Sequence, residues 1–181
     1  MGQIFAGLAR VLSSTDLPVQ VAAVCYRQGH SSVEFLLVKA SSGKWTFPKG
    51  RLNPGMTASE SAAREAWEEA GAQGRIARTH FGSYLDTKRA LEHDRRSGEV
   101  HILAYLLEVH RTQTPEEDGR KPSWFLPHEA RKALAAGRSR RYSRRINKII
   151  DAAIERLEVR NTKRAGVLLR AQGRRRLAIA R

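Results

Sequence analysis

The 181-residue chain has a single cysteine, Cys25, and this scarcity excludes several classes of protein. One cysteine cannot form an intrachain disulfide, so a disulfide-stapled secreted scaffold is excluded, and a buried thiol is expected in the apolar run around Cys25. No apolar run is long enough to cross a bilayer, and the first residues carry only Arg10 as a cation before Asp16. The sequence therefore predicts a cytoplasmic protein that does not bind membranes.

Acidic residues are scarce in the last quarter of the chain. Residues 138–181 contain 15 Lys or Arg and only 3 Asp or Glu, whereas residues 1–137 contain 18 and 15. Most of the net charge of +15 therefore belongs to the C-terminal segment. This division predicts an N-terminal lead over residues 1–17, one domain over residues 18–137 and a basic helical extension over residues 138–181.

A short acidic helix is predicted in the middle of the chain. Thr57 and Glu60 have the spacing of a capping box, and Gly71 is suited to the position after the last helical residue. Three carboxylates at i, i+3 and i+4 share one face of this helix, namely those of Glu65, Glu68 and Glu69. Hard divalent cations prefer such oxygen clusters, so the spacing indicates a Mg²⁺ or Mn²⁺ site, with a solvated acidic face as the alternative.

The residues around this helix resemble the Nudix box, the motif of a family of hydrolases that act on nucleoside diphosphates linked to another moiety. The motif reads Gly, five residues, Glu, seven residues, then Arg-Glu-apolar-any-Glu-Glu-any-Gly-apolar. The matching positions here are Gly50, Arg64, Glu65, Ala66, Glu68, Glu69, Gly71 and Ala72. One position differs, because Met56 stands where the family has its first Glu, and a thioether cannot ligate Mg²⁺.

The resemblance implies a metal site and a set of catalytic residues. Mg²⁺ or Mn²⁺ would be held by Glu65, Glu68, Glu69 and the carbonyl of Gly50, and Arg64 would orient a carboxylate by ion pairing. Candidates for the general base are Glu68 and Glu69 on the helix and, from a later loop, Glu116 or Glu117.

A second resemblance concerns substrate recognition. The run Phe47 to Gly50, and the run Asp118 to Lys121 shortly before Trp124, are similar to the diphosphoinositol-polyphosphate and diadenosine-polyphosphate hydrolase branch of the family. This similarity implies phosphate contacts from four cations: Lys49, Arg51, Arg120 and Lys121. A basic loop with Lys88, Arg89, Arg95 and Arg96 is a further candidate for contacts to a long polyphosphate.

The order of predicted elements fits an α/β sandwich with a mixed sheet, as membership of the family also implies. Strands are predicted over residues 19–26, 33–39, 45–47, 75–85, 100–109 and 123–126, and helices over residues 59–70 and 127–136. An apolar stripe predicts a further helix over residues 140–159 that packs on the domain or on a partner in a homodimer. A break is predicted at residues 161–164, before a second helical piece over residues 167–180.

Three functions remain open at this level. The favoured one is a magnesium-dependent hydrolase of phosphoanhydride bonds in nucleoside-diphosphate-linked or dinucleoside polyphosphate substrates. A second is an RNA-end pyrophosphohydrolase whose basic C-terminal segment binds nucleic acid. A third is a ligand-binding module of the same fold, in which Met56 marks the loss of catalysis.

Overall fold

The structure is a computed structural model that describes residues 17–29, 32–88 and 98–179, with side chains described up to Thr162 apart from that of Lys88. Most of the predicted N-terminal lead lies outside the described residues. So do Arg89, Arg95 and Arg96 of the predicted basic loop.

Eight strands and three helices follow one another along the described chain. The strands are β1 Val19–Gln28, β2 Val33–Lys39, β3 Trp45–Thr46, β4 Lys49–Arg51, β5 Ala72–Ile76, β6 Gly82–Lys88, β7 Gly98–Thr112 and β8 Ser123–Phe125. The helices are α1 Ala58–Ala70, between β4 and β5, and α2 Pro127–Ala135 and α3 Arg140–Ile179 after β8. No helix among the described residues is long and apolar enough to cross a membrane.

All eight strands belong to one mixed sheet. Its main path is β3-β2-β1-β7-β5, with β4 beside β1, β6 beside β7 and β8 beside β2. The central pair β1 and β7 is parallel, whereas the other pairs are antiparallel. The predicted mixed sheet is confirmed.

The sheet is buried on both faces, which explains why its central strands read as continuous apolar runs. Alternate residues of β1 point to opposite sides, so Ala22 and Val24 join one core cluster and Val21 and Ala23 join the other. The first cluster includes residues of α2 and α3, and the second includes Ala62, Ala66 and Ala70 of α1. The result is a sandwich in which α1 covers one face of the sheet and α2 and α3 cover the other.

The apolar stripe of α3 packs into this core, as its spacing predicts. The buried residues are Tyr142, Ile146, Ile149, Ile150, Ala153 and Leu157. The predicted break at residues 161–164 is wrong, because α3 continues through it to Ile179. None of these residues is proline, and each costs a helix no more than about 0.7 kcal/mol relative to alanine.

Two further details of the prediction are wrong. The single strand predicted over residues 75–85 is two strands, because β5 and β6 pair with different parts of β7 and residues 77–81 turn between them. No strand was predicted over residues 49–51, which form the short strand β4 and pair with β1. Three residues with a glycine at their centre give too short a pattern to indicate a strand.

Candidate active site

Helix α1 is fixed at both ends by the predicted caps. The Thr57 hydroxyl accepts from the Glu60 amide and the Glu60 carboxylate accepts from the Thr57 amide, which confirms the capping box. Gly71 ends the helix in the left-handed conformation, with φ 60°. A β-carbon at Gly71 would lie 1.9 Å from the carbonyl oxygen of Gln113, so this glycine also lets the loop after β7 approach the helix.

Gly50 on β4 makes room for the carboxylate of Glu65, the first of the three Nudix-box carboxylates Glu65, Glu68 and Glu69. Gly50 pairs with Val21 of β1, and a β-carbon at Gly50 would lie 2.0 Å from Oε1 of Glu65. No side chain fits in that space while Glu65 stays in place. The family motif therefore has a direct structural reason for its first glycine, which is that the carboxylate lies against the strand backbone.

Glu69 is the most buried of the three box carboxylates, with 3% of its surface exposed. The Lys49 amide donates to its Oε2 at 3.1 Å, and the Arg120 guanidinium forms an ion pair with its Oε1 at 2.6 Å. Burial raises the pKa of Glu69 to about 7, although Arg120 and the Lys49 amide oppose the change. This carboxylate is therefore held in place by two groups from other parts of the chain.

The other two carboxylates differ in their partners. Burial, followed by repulsion from Glu69 and Glu68, raises the pKa of Glu65 to about 7. Glu68 forms an ion pair with Arg64, whose Nε donates to Oε1 of Glu68 at 2.6 Å. When fully ionised, the three carboxylates outnumber the two arginines that pair with them, Arg64 and Arg120.

The loop after β7 brings two predicted residues to this helix. The Glu117 amide donates to the carbonyl of Glu68 at 2.9 Å, which attaches the loop near the C-terminal end of α1. Arg120 donates through Nε and Nη2 to Oε2 of Glu117, at 2.8 and 2.5 Å. Arg120 therefore bridges Glu117 and Glu69.

Asp86, near the end of β6, belongs to the same region and was not predicted as a site residue. It is 9% exposed, and it contacts Lys49 Nζ at 3.4 Å and Arg138 Nη1 at 3.1 Å. It lies one residue beyond the strand predicted over residues 75–85. Its position directly after Tyr84 and Leu85 was the available signal.

The remaining predicted residues are more exposed. The side chains of Arg51 and Lys121 are exposed and make no hydrogen bond or ion pair with any described residue. Met56 is 41% exposed in the turn before α1. Its side chain is thus in contact with solvent.

The donor set of this cluster fits a hard divalent cation. It consists of the oxygens of Glu65, Glu68 and Glu69 beside the backbone of Gly50, which is the kind of set that Mg²⁺ binds. Among the described residues, no three acidic, histidine or cysteine side chains are arranged to hold a metal in their present positions. Two of the three carboxylates are paired with arginines instead, Glu69 with Arg120 and Glu68 with Arg64.

The fold and the site together define a sandwich domain whose capped helix presents one buried and two half-buried carboxylates near a glycine-containing strand. Residues 16–146 match the family model described as the NUDIX domain. This match covers more than half of the chain, and the chain belongs to the Nudix family.

Several curated relatives are similar over part of the chain. An RNA pyrophosphohydrolase of Actinobacillus succinogenes is 31% identical over 122 residues, which is 58% of this chain and 60% of that protein. The asymmetrical bis(5'-nucleosyl)-tetraphosphatase of Mus musculus is 45% identical over 85 residues, which is 46% of this chain and 55% of that protein. Diphosphoinositol polyphosphate phosphohydrolase 3-beta of Bos taurus is 31% identical over 121 residues, which is 64% of this chain and 68% of that protein. The chain therefore spans less than two thirds of the first two relatives.

Solved structures confirm the fold. A binary complex of the C. elegans Ap4A hydrolase has a TM-score of 0.58 and 22% identity, covering 78% of this chain and 98% of that one. The NUDIX domain of Shewanella oneidensis NrtR, complexed with ADP ribose, has a TM-score of 0.58 and 15% identity, covering 84% and 97%. At 22% and 15% identity, the similarity shows only that the fold is shared.

Proposed function

We propose that the protein is a magnesium-dependent hydrolase of phosphoanhydride bonds in nucleoside-diphosphate-linked or dinucleoside polyphosphate substrates. The observation that carries this proposal is the cluster of box carboxylates packed against Gly50, with Lys49 and Arg120 beside them. The name of the mouse relative supports a dinucleoside polyphosphate as substrate, and that of the bovine relative supports a polyphosphorylated substrate more generally.

Glu65, Glu68, Glu69 and the carbonyl of Gly50 would hold the metal. Magnesium bound there would supply positive charge to the phosphate oxygens and make a water molecule more acidic. Arg64 is a positioning residue, because its ion pair with Glu68 limits the orientations of that carboxylate.

Lys49 and Arg120 are the phosphate-binding residues nearest the carboxylates. The guanidinium of Arg120 is planar and already bridges two carboxylates, and the same donors suit the oxygens of a phosphate. Arg51 and Lys121 would add charge from more exposed positions, where they attract the anionic substrate.

Glu117 is our candidate for the group that accepts a proton from the attacking water. A hydrogen bond from its amide to the Glu68 carbonyl keeps the start of its side chain close to α1, and its carboxylate pairs with Arg120, which also contacts Glu69. Glu68 and Glu69 remain alternatives for this role, since both lie on α1 within the carboxylate cluster.

A substrate panel tests the proposal. The full chain is incubated with Mg²⁺ and a dinucleoside tetraphosphate, a nucleoside triphosphate or triphosphate-ended RNA, and the products are identified. We expect cleavage of the dinucleoside tetraphosphate to be fastest, and EDTA to abolish it.

The panel also separates the two other functions. Fastest turnover of RNA would favour the RNA-end pyrophosphohydrolase, which the name of the bacterial relative and the basic N-terminal turns of α3 support. No product from any substrate would favour a ligand-binding module and contradict our proposal.

A further inference from the structure

A basic groove lies along the first turns of α3, outside the carboxylate cluster. Its volume is about 410 Å³. The lining residues are Arg138, Arg140, Ser143, Arg144 and Asn147, so the groove carries three positive charges and no acidic residue. We call this feature the arginine groove.

The helix period explains why these residues share one surface. Arg140, Arg144 and Asn147 follow one another at four- and three-residue spacing, which places them on one face of α3. A different face carries Ile146 and Ile150, both of which are fully buried in the core. The core therefore fixes the direction in which the arginines of the groove point.

Two of the three positive charges of the groove are not neutralised within the described part of the protein, whereas Arg138 pairs with Asp86. Arg140 and Arg144 have no acidic partner among the described residues, and the first turn of α3 contains no acidic residue. A helix N-terminus carries partial positive charge, so two unpaired arginines there repel both each other and the helix dipole. A bound anion would relieve this repulsion.

The groove is connected to the candidate active site through Arg138. Its guanidinium stacks on Tyr142 at 4.3 Å and pairs with Asp86, while its Nε is buried and has no hydrogen-bond partner. Asp86 also contacts Lys49, whose amide donates to Glu69. A short series of contacts therefore leads from the groove to the carboxylates.

We propose that the arginine groove is a phosphate subsite that binds the phosphates of the polyphosphate substrate beyond the cleaved linkage. This inference rests on the function proposed above, and it assigns a substrate-binding role to α3. Arginine is suited to it because the guanidinium contacts two phosphate oxygens at once. Two unpaired arginines beside Arg138 form a compact set that fits a short phosphate chain better than an extended RNA backbone. The one aromatic residue beside the groove, Tyr142, is 7% exposed and covered by Arg138, so it cannot stack on bases.

The test compares two double variants of the full chain. R140Q/R144Q removes two charges from the groove. R141Q/K148Q removes two charges from exposed positions on the same turns that do not line the groove. Glutamine keeps a good helix propensity, and thermal melting checks that both variants fold.

Inorganic tripolyphosphate is titrated into each protein in EDTA by calorimetry. We expect R140Q/R144Q to raise Kd by about tenfold or more, and R141Q/K148Q to raise it less than about twofold. Equal weakening in both variants would indicate a nonspecific charge effect and overturn the proposal. Unchanged binding in R140Q/R144Q would also overturn it, as would a selective loss of single-stranded RNA binding with no loss of tripolyphosphate binding.

These results are independent of hydrolysis. If the wild-type chain cleaves the dinucleoside tetraphosphate but both variants bind tripolyphosphate equally, the groove assignment fails alone. If the chain cleaves no substrate but only R140Q/R144Q loses tripolyphosphate binding, the groove is supported as a phosphate site and the proposed hydrolase activity is contradicted.

Discussion

Replacing Gly50 by alanine should disable the candidate active site without unfolding the protein. A β-carbon at this position would lie 2.0 Å from Oε1, 2.2 Å from Cδ and 2.4 Å from Oε2 of Glu65. Real contacts to a β-carbon are not shorter than about 3.0 Å, so the carboxylate must move by about 1 Å or more. A displacement of this size can cost about 10²-fold in rate when it affects a group that positions the reaction.

The effect on stability should be small, because the atoms that clash belong to the end of a flexible side chain. Alanine also restricts the unfolded chain more than glycine does, which offsets part of any strain. We therefore expect G50A to change the free energy of unfolding by less than about 1 kcal/mol while hydrolysis of a dinucleoside tetraphosphate falls by about 10²-fold.

G98A is the matched control, since no atom of the described residues lies within 4 Å of a β-carbon built at Gly98. Both variants are assayed for initial rates at saturating Mg²⁺ and for unfolding in urea. A G50A protein that keeps the wild-type rate would refute this reasoning. Loss of activity in G98A to the same extent would also refute it.

Three further predictions concern the groups around the carboxylates. R120Q removes the ion-pair partner of buried Glu69, so we expect the free energy of unfolding in urea to fall by about 1–3 kcal/mol and KM to rise. R120K should restore both quantities in part. The prediction is refuted if R120Q changes neither quantity. D86N removes the negative charge that positions Lys49 and Arg138, so KM should rise by a larger factor than kcat falls. An equal change in kcat would contradict this positioning role of Asp86. In EDTA, the thermal midpoint of the wild type should fall relative to that of E65Q/E69Q as the pH rises from 4.5 through about 7. The pKa values of Glu65 and Glu69 in the folded protein lie above the ordinary value, so the stability present at low pH is lost when these carboxyls ionise. Parallel pH curves for the two proteins would contradict this prediction.

Local patterns in the sequence predicted the elements that depend on neighbouring residues. The predictions of the capping box at Thr57 and Glu60 and of the glycine that ends the helix were correct. Both caps involve residues only three or four positions apart. The central strand around Leu106 was correct because burial on both faces produces a continuous apolar run.

Contacts between distant segments were beyond reach of the sequence pattern. Arg120 was predicted to contact phosphate, but its ion pair with Glu69 depends on how the loop after β7 returns to α1. Asp86 was missed because its two partners come from β4 and from the start of the C-terminal region. The predicted break after residue 160 was wrong because polar composition alone does not end a helix.

The central claim is that the carboxylates of α1 gather a divalent cation beside Gly50. Electron paramagnetic resonance of Mn²⁺ titrated into the full chain tests it most directly. We expect the wild type, and the control E155Q/E158Q with two exposed acids of α3 replaced, to bind Mn²⁺, and E65Q/E69Q to bind at least about tenfold more weakly. Equal Mn²⁺ binding by the wild type and E65Q/E69Q would contradict the claim.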